Sequence, residues 1–203
     1  LVIGCEICED LWVPAPPSGQ LAEAGATVIV NLSASDALIG KAAYRRQLVT
    51  GQSARLACGY LYADAGLGES TQDLVFAGHN LVCDNGTMLA ESERFTTGLI
   101  TTELDLGRIA HERRRMNTFG QSQTRMTDIY FDLPLRETQL TRVFAQTPFV
   151  PADQSDLAAR CEEILHLQAV GLATRLRHTR AKSAVIGLSG GLDSTLALIV
   201  TVH

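Results

Sequence analysis

The order of strand and helix patterns along the 203 residues predicts an α/β fold. Short apolar segments rich in β-branched residues alternate with longer segments that have helical spacing. The clearest strand is 26–32, whose unbroken apolarity indicates burial on both faces. Further along, 183–188 is predicted to be a strand, 189–194 a glycine-rich turn and 195–202 the start of a buried helix, which together form half of a βαβ unit.

The other elements follow from local signals in chain order. They are a strand (1–6), a proline turn cluster (14–17), a short helical turn closed by glycine (21–25), a helix (41–58), a strand (60–65), two hairpin arms (74–83 and 88–91), a strand (99–104) and a charged surface segment (109–116). Asp84-Asn85-Gly86 between the hairpin arms is a strong turn signal. Pro148 and Pro151 predict a domain boundary, after which Asp156 is expected to cap a long helix.

Composition excludes several classes of protein. Hydrophobic residues make up 46% and charged residues 19% of the chain, and the mean hydropathy is +0.09. No stretch approaches the roughly 18 apolar residues that a membrane helix needs, so no membrane partner is expected. The net charge of −5 argues against a broad nucleic-acid surface. The five cysteines form no even disulfide framework, which favours a reducing, cytoplasmic location. Both ends of the chain are apolar, so we expect an internal fragment of a longer protein.

The glycine-rich turn carries the stronger chemical signal. It consists of Gly187, Leu188, Ser189, Gly190, Gly191, Leu192, Asp193 and Ser194. Glycines let backbone amides turn toward an anion, and the N-terminus of the following helix favours negative charge. Asp193 is placed to hold a Mg²⁺ ion that bridges phosphates. The lysine of a Walker loop is absent. The pattern resembles the pyrophosphate loop of the ATP pyrophosphatases, and the alternative is a glycine turn that only packs a helix onto a strand.

Cys8 carries the second signal. It follows a predicted buried strand, at a junction where its sulfur can be presented at the edge of a sheet and where the Glu9 amide can stabilise an oxyanion. A thiolate needs a base or a cation nearby, and none is close in sequence. The alternative is a small buried hydrophobic residue. Cys5 and Cys8 form a Cys-x-x-Cys pair, but no second pair or nearby histidine supports a metal or redox site.

These motifs carry a resemblance that covers essentially the whole chain. Ile-Cys-Glu-Asp-Leu-Trp-Val-Pro at 7–14 resembles the nucleophile segment of nitrilase-superfamily amidases, in the branch fused to NAD synthetases. Further landmarks follow in the order shown by that branch, at 30–35, 60–62, 68–76, 85–86, 90–95 and 149–153, and the pyrophosphate loop completes it. The sequence therefore resembles the glutamine-dependent NAD(+) synthetases.

The resemblance implies two domains. Residues 1–146 would be the C-terminal part of a nitrilase-like αββα sandwich, 147–155 a linker, and 156–203 the truncated start of a Rossmann-like domain that binds adenine nucleotide. Cys8 matches the nucleophile of a Glu–Lys–Cys triad, whose other members would precede Leu1. Ser35 and Lys41 match positions that bind glutamine, although lysine cannot make the bidentate contact of the arginine often found in the family. The alternatives are a strand-end turn hydroxyl for Ser35 and an exposed helix-start lysine for Lys41.

The implied reaction is ligation of ammonia. Glutamine hydrolysis would supply ammonia, ATP would adenylate the nicotinate carboxylate of deamido-NAD, and ammonia would displace AMP. The substrates and cofactors implied are glutamine, deamido-NAD, ATP and Mg²⁺, and the complete protein is expected to be a homo-oligomer. We expect the fragment to be inactive by itself. The alternatives are another nitrilase-coupled amidotransferase and a non-catalytic assembly fragment.

Other polar residues are not predicted to form sites. The histidines are scattered and are expected at surface or capping positions (His79, His111, His166, His178 and His203). Glu112–Arg115 is expected to be a solvated face or a domain contact. Surface loops are likewise favoured for Glu69, Asp73 and Glu93.

Overall fold

The computed structural model describes residues 1–70, 72–122, 126–151 and 153–203. Contacts divide the chain into two units, Leu1–Arg142 and Val143–His203. The predicted linker, 147–155, begins within the second unit, and its residue Ala152 lies outside the described residues, as does Thr71 in the 68–76 landmark. The domain assignment therefore stays a prediction. No helix among the described residues is long and apolar enough to cross a membrane.

The first unit is built on a five-stranded mixed sheet with strand order β1-β2-β3-β4-β5. The strands are β1 (Ile3–Ile7), β2 (Val28–Ser33), β3 (Gly59–Asp64), β4 (Leu81–Asp84) and β5 (Thr87–Glu91). The first three are parallel, and β4 and β5 are antiparallel to their neighbours. Parallel neighbours require crossover connections, and helices α1 (Pro17–Glu23) and α2 (Lys41–Arg55) provide them. The predicted α/β fold is confirmed.

One face of this sheet forms the core. Ile29, Tyr60 and Leu81 are fully buried there, together with Val49 of α2. On the opposite face of β1 and β2, Ile7 and its register neighbour Leu32 are each 66% exposed, although Val28 on the same face is buried. The prediction that 26–32 is buried on both faces is therefore wrong for its last residue. Exposed apolar side chains on this face are compatible with the second sheet that a sandwich would supply.

Several predicted elements differ from the structure because strands need pairing partners, which local sequence does not show. The segments 99–104 and 183–188 are not strands, and no described segment pairs with them. Residues 74–80 form only an isolated bridge, Asp36 with Phe76, so the hairpin arm begins at Leu81. The predicted turn is confirmed: Asn85 and Gly86 have φ values of 47° and 82°, as a type I′ turn requires.

The helices also differ from the predicted ones in where they begin and what they bury. Helix α1 begins at Pro17, inside the predicted turn cluster, because proline suits the first helical position. The charged segment near 109–116 is helix α3 (Leu106–Arg115), which buries Ile109. Arg113 in α3 is not part of a solvated face, because its guanidinium donates to the carbonyl oxygens of Ala22, Leu56 and Ala57.

The second unit contains helices α4 (Gln154–Thr179) and α5 (Leu192–Val202), which pack against each other. Asp153, rather than Asp156, caps α4: its carboxylate accepts from the N–H groups of Ser155 and Asp156 at 2.8 and 3.3 Å. Helix α5 was expected to be buried, but only Val200 is, because α4 is the described element that covers it.

Candidate functional site

The carboxyl ends of β1, β2 and β3 meet at one edge of the sheet, as parallel strands require. Ile7 at the end of β1 pairs in register with Leu32, and Ser33 at the end of β2 pairs with Asp64. The residues that follow these strands therefore gather at this carboxyl edge. Cys8 comes directly after β1, and Ser35 comes two residues after β2. In open α/β sheets, ligands bind outside the carboxyl ends of the strands.

Cys8 is half-buried and opens a single 3₁₀ turn, Cys8–Leu11. Its φ of 50° is in the left-handed region, which residues other than glycine seldom adopt. Two hydrogen bonds with the side chain of Asn31 in β2 hold its backbone. The Cys8 N–H donates to Asn31 Oδ1 at 3.0 Å, and Asn31 Nδ2 donates to the Cys8 carbonyl oxygen at 3.3 Å. Within the described chain, the Cys8 sulfur has no hydrogen-bond partner and the Glu9 N–H has no acceptor.

Ser35 is held by a buried ion pair. Its N–H donates to Asp64 Oδ1 at 2.9 Å, and Arg45 donates to its hydroxyl and carbonyl oxygens at 2.9 and 3.3 Å. The Arg45 guanidinium lies 3.5 Å from Asp64 Oδ2, and the two side chains are 1% and 0% exposed. Burial raises the pKa of the Asp64 carboxyl, against the lowering effects of the Ser35 N–H and of Arg45. Ser35 is therefore fixed in place at the carboxyl edge.

Lys41 begins α2, and its side chain pairs with Asp36. This hydrogen bond lowers the pKa of Asp36. The Lys41 ammonium also lies 5.5 Å from the centre of the Trp12 ring, and the ring of Trp12 is 5.4 Å from that of Tyr44 in the same helix. Trp12 follows the Cys8 turn, so these aromatic contacts join that turn to the start of α2. The structure thus brings Cys8, Ser35 and Lys41 to one region of the first unit.

The predicted pyrophosphate loop leads into α5 in the second unit. Gly190 has a φ of 83°, which favours glycine, and Gly191 is the N-cap of α5. The hydroxyl of Ser194 lies 3.2 Å from that of Ser189 and donates to the Gly191 carbonyl oxygen at 3.1 Å. Asp193 lies in the first turn of the helix, beside a cavity of about 540 Å³ lined also by Gln168, Val185 and Leu196, among other residues. The part of the chain that the structure describes contains no cluster of three or more potential metal ligands.

The chain is similar in sequence to a group of known enzymes. The sequence matches no protein-family model. Over its whole length it is 45% identical to the glutamine-dependent NAD(+) synthetase of Mycobacterium tuberculosis (strain ATCC 25618 / H37Rv). The resemblance to glutamine-dependent NAD(+) synthetases is confirmed. The enzyme of the same name from Mycobacterium leprae is 44% identical over 98% of the chain. The chain spans 31% of the length of each of these relatives.

Solved structures named as NAD(+) synthetases and carbon-nitrogen hydrolases also match parts of the chain. A glutamine-dependent NAD(+) synthetase from Cytophaga hutchinsonii is 35% identical, with a TM-score of 0.39 over 45% of this chain and 14% of that one. A carbon-nitrogen hydrolase from Helicobacter pylori is 19% identical, with a TM-score of 0.48 over 56% of this chain and 43% of that one.

Sequence reasoning missed a buried network beneath Cys8. Tyr60 is fully buried, and its hydroxyl donates to Glu6 Oε1. Burial raises the pKa of Tyr60 far above its usual range, so this hydroxyl keeps its proton. The other oxygen of Glu6 accepts from the Ser18 N–H at 2.8 Å, and Asn31 Nδ2 donates to the Tyr60 hydroxyl at 3.3 Å. The available signal was a glutamate inside an otherwise apolar strand, which needs a partner when buried.

The prediction that His79 is a surface or capping residue is wrong. The side chain is fully buried and lies between two charged groups. Arg45 approaches its Nδ1 at 3.0 Å, and its Nε2 lies 2.7 Å from Glu91 Oε1. Burial lowers the pKa of the His79 imidazole, so it is neutral at pH 7, with Nδ1 accepting from Arg45 and Nε2–H donating to Glu91. The hydrogen bond from Arg46 lowers the pKa of Glu91. These hydrogen bonds hold the Arg45 guanidinium in place, and Arg45 in turn holds Ser35.

Proposed function

We propose that this chain is part of a glutamine-dependent NAD(+) synthetase and supplies the nucleophile of its glutaminase site. One observation carries the proposal: in a chain similar from end to end to such synthetases, a half-buried cysteine in a left-handed conformation opens the turn after a parallel strand. The edge of the sheet where Cys8 lies is where α/β folds bind ligands. The relatives are about three times longer than this chain, so other segments would complete the enzyme.

At the carboxyl edge, the Cys8 sulfur would attack the carboxamide carbon of glutamine. The C–N bond would then break, the nitrogen would leave as ammonia with a proton from an acid, and water would hydrolyse the thioester to glutamate. The Glu9 N–H is in a position to stabilise the oxyanion, since it has no acceptor among the described residues. Ser35 would hold polar groups of glutamine, and the Lys41 cation suits its α-carboxylate, for which Asp36 would compete.

In the second unit, the loop 187–194 would hold the pyrophosphate end of ATP. Backbone amides near Gly190 and Gly191, two serine hydroxyls and the N-terminus of α5 form an anion-binding arrangement. A Mg²⁺ ion there would neutralise phosphate charge, and Asp193 is the residue that would hold it. A lone carboxylate fits, because Mg²⁺ is usually bound by one or two carboxylates together with phosphates. Adenylation of the nicotinate carboxylate of deamido-NAD would make it reactive toward ammonia, which would displace AMP.

We expect the 203-residue chain by itself to release no ammonia from glutamine. A cysteine nucleophile needs a base to form its thiolate, and no described residue contacts the Cys8 sulfur through a hydrogen bond. The resemblance implies that the base and the lysine of the triad would lie in segments outside this chain. Ammonia release by the purified 203-residue chain, measured with a glutamate dehydrogenase assay, would contradict this expectation.

The test uses the complete protein that contains this sequence. NAD(+) formation from deamido-NAD, ATP and Mg²⁺ is followed with either glutamine or ammonium as nitrogen donor. Cys8→Ala is expected to lower the glutamine-driven rate at least about a thousandfold and to keep the ammonium-driven rate. Cys5→Ala, at an exposed position of β1, the strand that precedes Cys8, is the matched control and should keep both rates.

Each other outcome is informative. If Cys8→Ala keeps the glutamine-driven reaction, Cys8 is structural and the proposed nucleophile is wrong. If the wild type makes no NAD(+) from either donor, the acceptor is wrong and another carboxylate-amidating enzyme is favoured. Ser189→Ala should weaken both reactions and raise the KM for ATP, because both depend on adenylation. A Ser189→Ala variant with an unchanged KM for ATP would remove Ser189 from the proposed nucleotide site.

A further inference from the structure

The backbone of Cys8 is held by a single side chain from the neighbouring strand. Asn31 is fully buried, and it satisfies both backbone polar groups of Cys8, accepting from the N–H at 3.0 Å and donating to the carbonyl oxygen at 3.3 Å. Cys8 has a φ of 50°, a conformation that is unfavourable for a residue with a Cβ atom. Such a conformation persists only where the surroundings enforce it. Asn31 is the residue that does so here.

The orientation of the Asn31 amide is itself determined by the residues beneath it. Tyr60 directs its hydroxyl proton to Glu6, which leaves the hydroxyl oxygen to accept from Asn31 Nδ2 at 3.3 Å. A flipped amide would place Oδ1 against two oxygen atoms, those of the Cys8 carbonyl and of the Tyr60 hydroxyl, and would point the NH₂ group at the Cys8 N–H. Glu6, Tyr60 and Asn31 therefore form a directed chain of hydrogen bonds that ends at Cys8.

We propose that Asn31 is a positioning residue for the Cys8 nucleophile, oriented by the buried Tyr60–Glu6 pair. The proposal rests on the function proposed above. Asn31 fixes the peptide of Cys8 so that the sulfur stays at the carboxyl edge, in reach of the carboxamide carbon. Asn31 also occupies the Cys8 N–H, so the oxyanion donor in this turn is the next amide, that of Glu9. Without Asn31 the cysteine relaxes toward ordinary backbone angles, and the sulfur moves.

A displaced nucleophile lowers the rate of the chemical step more than it weakens binding. A misplacement of about 1 Å can cost on the order of a hundredfold in rate. Asn31 does not touch glutamine in this scheme, so the KM for glutamine should change little. The site that uses ammonia is separate from Cys8 and should be unaffected. A selective loss of kcat with glutamine is therefore the signature that separates positioning from a general loss of stability.

The experiment compares Asn31→Ala and Asn31→Asp in the complete protein. Asn31→Ala should lower kcat with glutamine about a hundredfold, with the KM for glutamine and the ammonium-driven rate within about threefold of wild type. Asn31→Asp keeps an acceptor for the Cys8 N–H but loses both donated bonds, and should lower kcat by at least about tenfold. Inactivation of Cys8 by a glutamine-shaped diazo ketone should slow in parallel. Asn85→Asp is the control, since Asn85 is also left-handed but lies in the hairpin turn at the other edge of the sheet.

The outcomes separate this proposal from the proposed function. Asn31 variants that keep kcat with glutamine within about threefold of wild type overturn it. If an Asn31 variant also loses the ammonium-driven reaction, Tyr60→Phe decides, because it keeps Asn31 and removes the hydroxyl that orients it, together with the hydrogen bond of that hydroxyl to Glu6. A tenfold lower kcat with glutamine in that variant supports the proposal, and an unchanged kcat overturns it. Cys8→Ala that keeps glutamine-driven synthesis refutes the proposed function itself, whatever the Asn31 variants do.

Discussion

Replacing Arg45 with methionine should locally destabilise the first unit far more than replacing its neighbour Arg46. The Arg45 side chain is 1% exposed and donates to both oxygens of Ser35, and it is the cation beside Asp64, whose side chain is 0% exposed. Methionine fills most of the volume but leaves the buried carboxylate without a cation. Removing one partner of a buried ion pair costs about 3–5 kcal/mol. Arg46, with a 44% exposed side chain, pairs with Glu91 at the surface, and such pairs contribute about 0–1 kcal/mol.

Native-state hydrogen exchange is the suitable assay, because it reports the stability of one region and does not require the whole protein to unfold in a single two-state transition. In the complete protein, amides of β3 should exchange faster in Arg45→Met by about 150-fold to several thousandfold, which corresponds to 3–5 kcal/mol. In Arg46→Met the increase should stay below about sixfold. An Arg45→Met variant whose β3 amides exchange no faster than those of Arg46→Met would refute the view that the buried guanidinium is needed to neutralise Asp64.

A double-mutant cycle tests whether Arg45 stabilises the first unit through its ion pair with Asp64. Asp64→Asn removes the negative charge while leaving an oxygen that can accept from the Ser35 N–H. Once Asp64 is neutral, Arg45→Met leaves no buried anion, so the cost of the double variant should be lower than the sum of the single costs by at least about 1 kcal/mol. Additive costs would show that Arg45 acts through Ser35 and His79 rather than through Asp64.

Three further predictions concern other parts of the first unit. Burial raises the pKa of the Cys58 and Cys83 thiols to about 12, so iodoacetamide at pH 8 should leave both unmodified in the native protein. Peptide mapping that finds them modified along with the exposed cysteines would contradict their burial. The pKa of His79 is lowered in the folded protein, so the unfolded state binds more protons just below the usual imidazole pKa of about 6.5, and stability should fall as the pH drops through that range. His79→Asn should reduce the dependence of this stability on pH, as measured by hydrogen exchange. An equal slope of stability against pH in both proteins would refute the prediction. Gly86→Ala should destabilise by about 1–3 kcal/mol, because φ is +82° and the new Cβ would lie 2.8 Å from a carbon of α2. Gly51→Ala inside α2 should instead stabilise by about 0.5–1 kcal/mol, and changes of the same sign in the hydrogen exchange of α2 amides in the two variants would contradict this.

Local patterns predicted much of the fold. The β-branched segment of β2, the helix of α2 and the Asn-Gly turn between β4 and β5 lie where the sequence indicates them, because propensity, periodicity and turn chemistry act over a few residues. The predicted strands at 99–104 and 183–188 were wrong, because a β-propensity becomes a strand only where a partner offers its backbone. Near residue 104 the chain instead packs the Leu104 side chain onto Gly59.

In the candidate site, too, local motifs were predictable and long-range contacts were not. A cysteine after the first strand and a glycine-rich turn before a helix could both be predicted from the amino-acid sequence, because each motif is contiguous along the chain. The partners around Cys8 and Ser35 are distant in sequence: Asn31 bonds to Cys8 across 23 positions, Tyr60 to Glu6 across 54, and Arg45 to His79 across 34. A buried polar side chain is stable only when its hydrogen bonds are satisfied. Its partner depends on which strands and helices become neighbours in the fold, and the spacing of residues along the chain does not determine this.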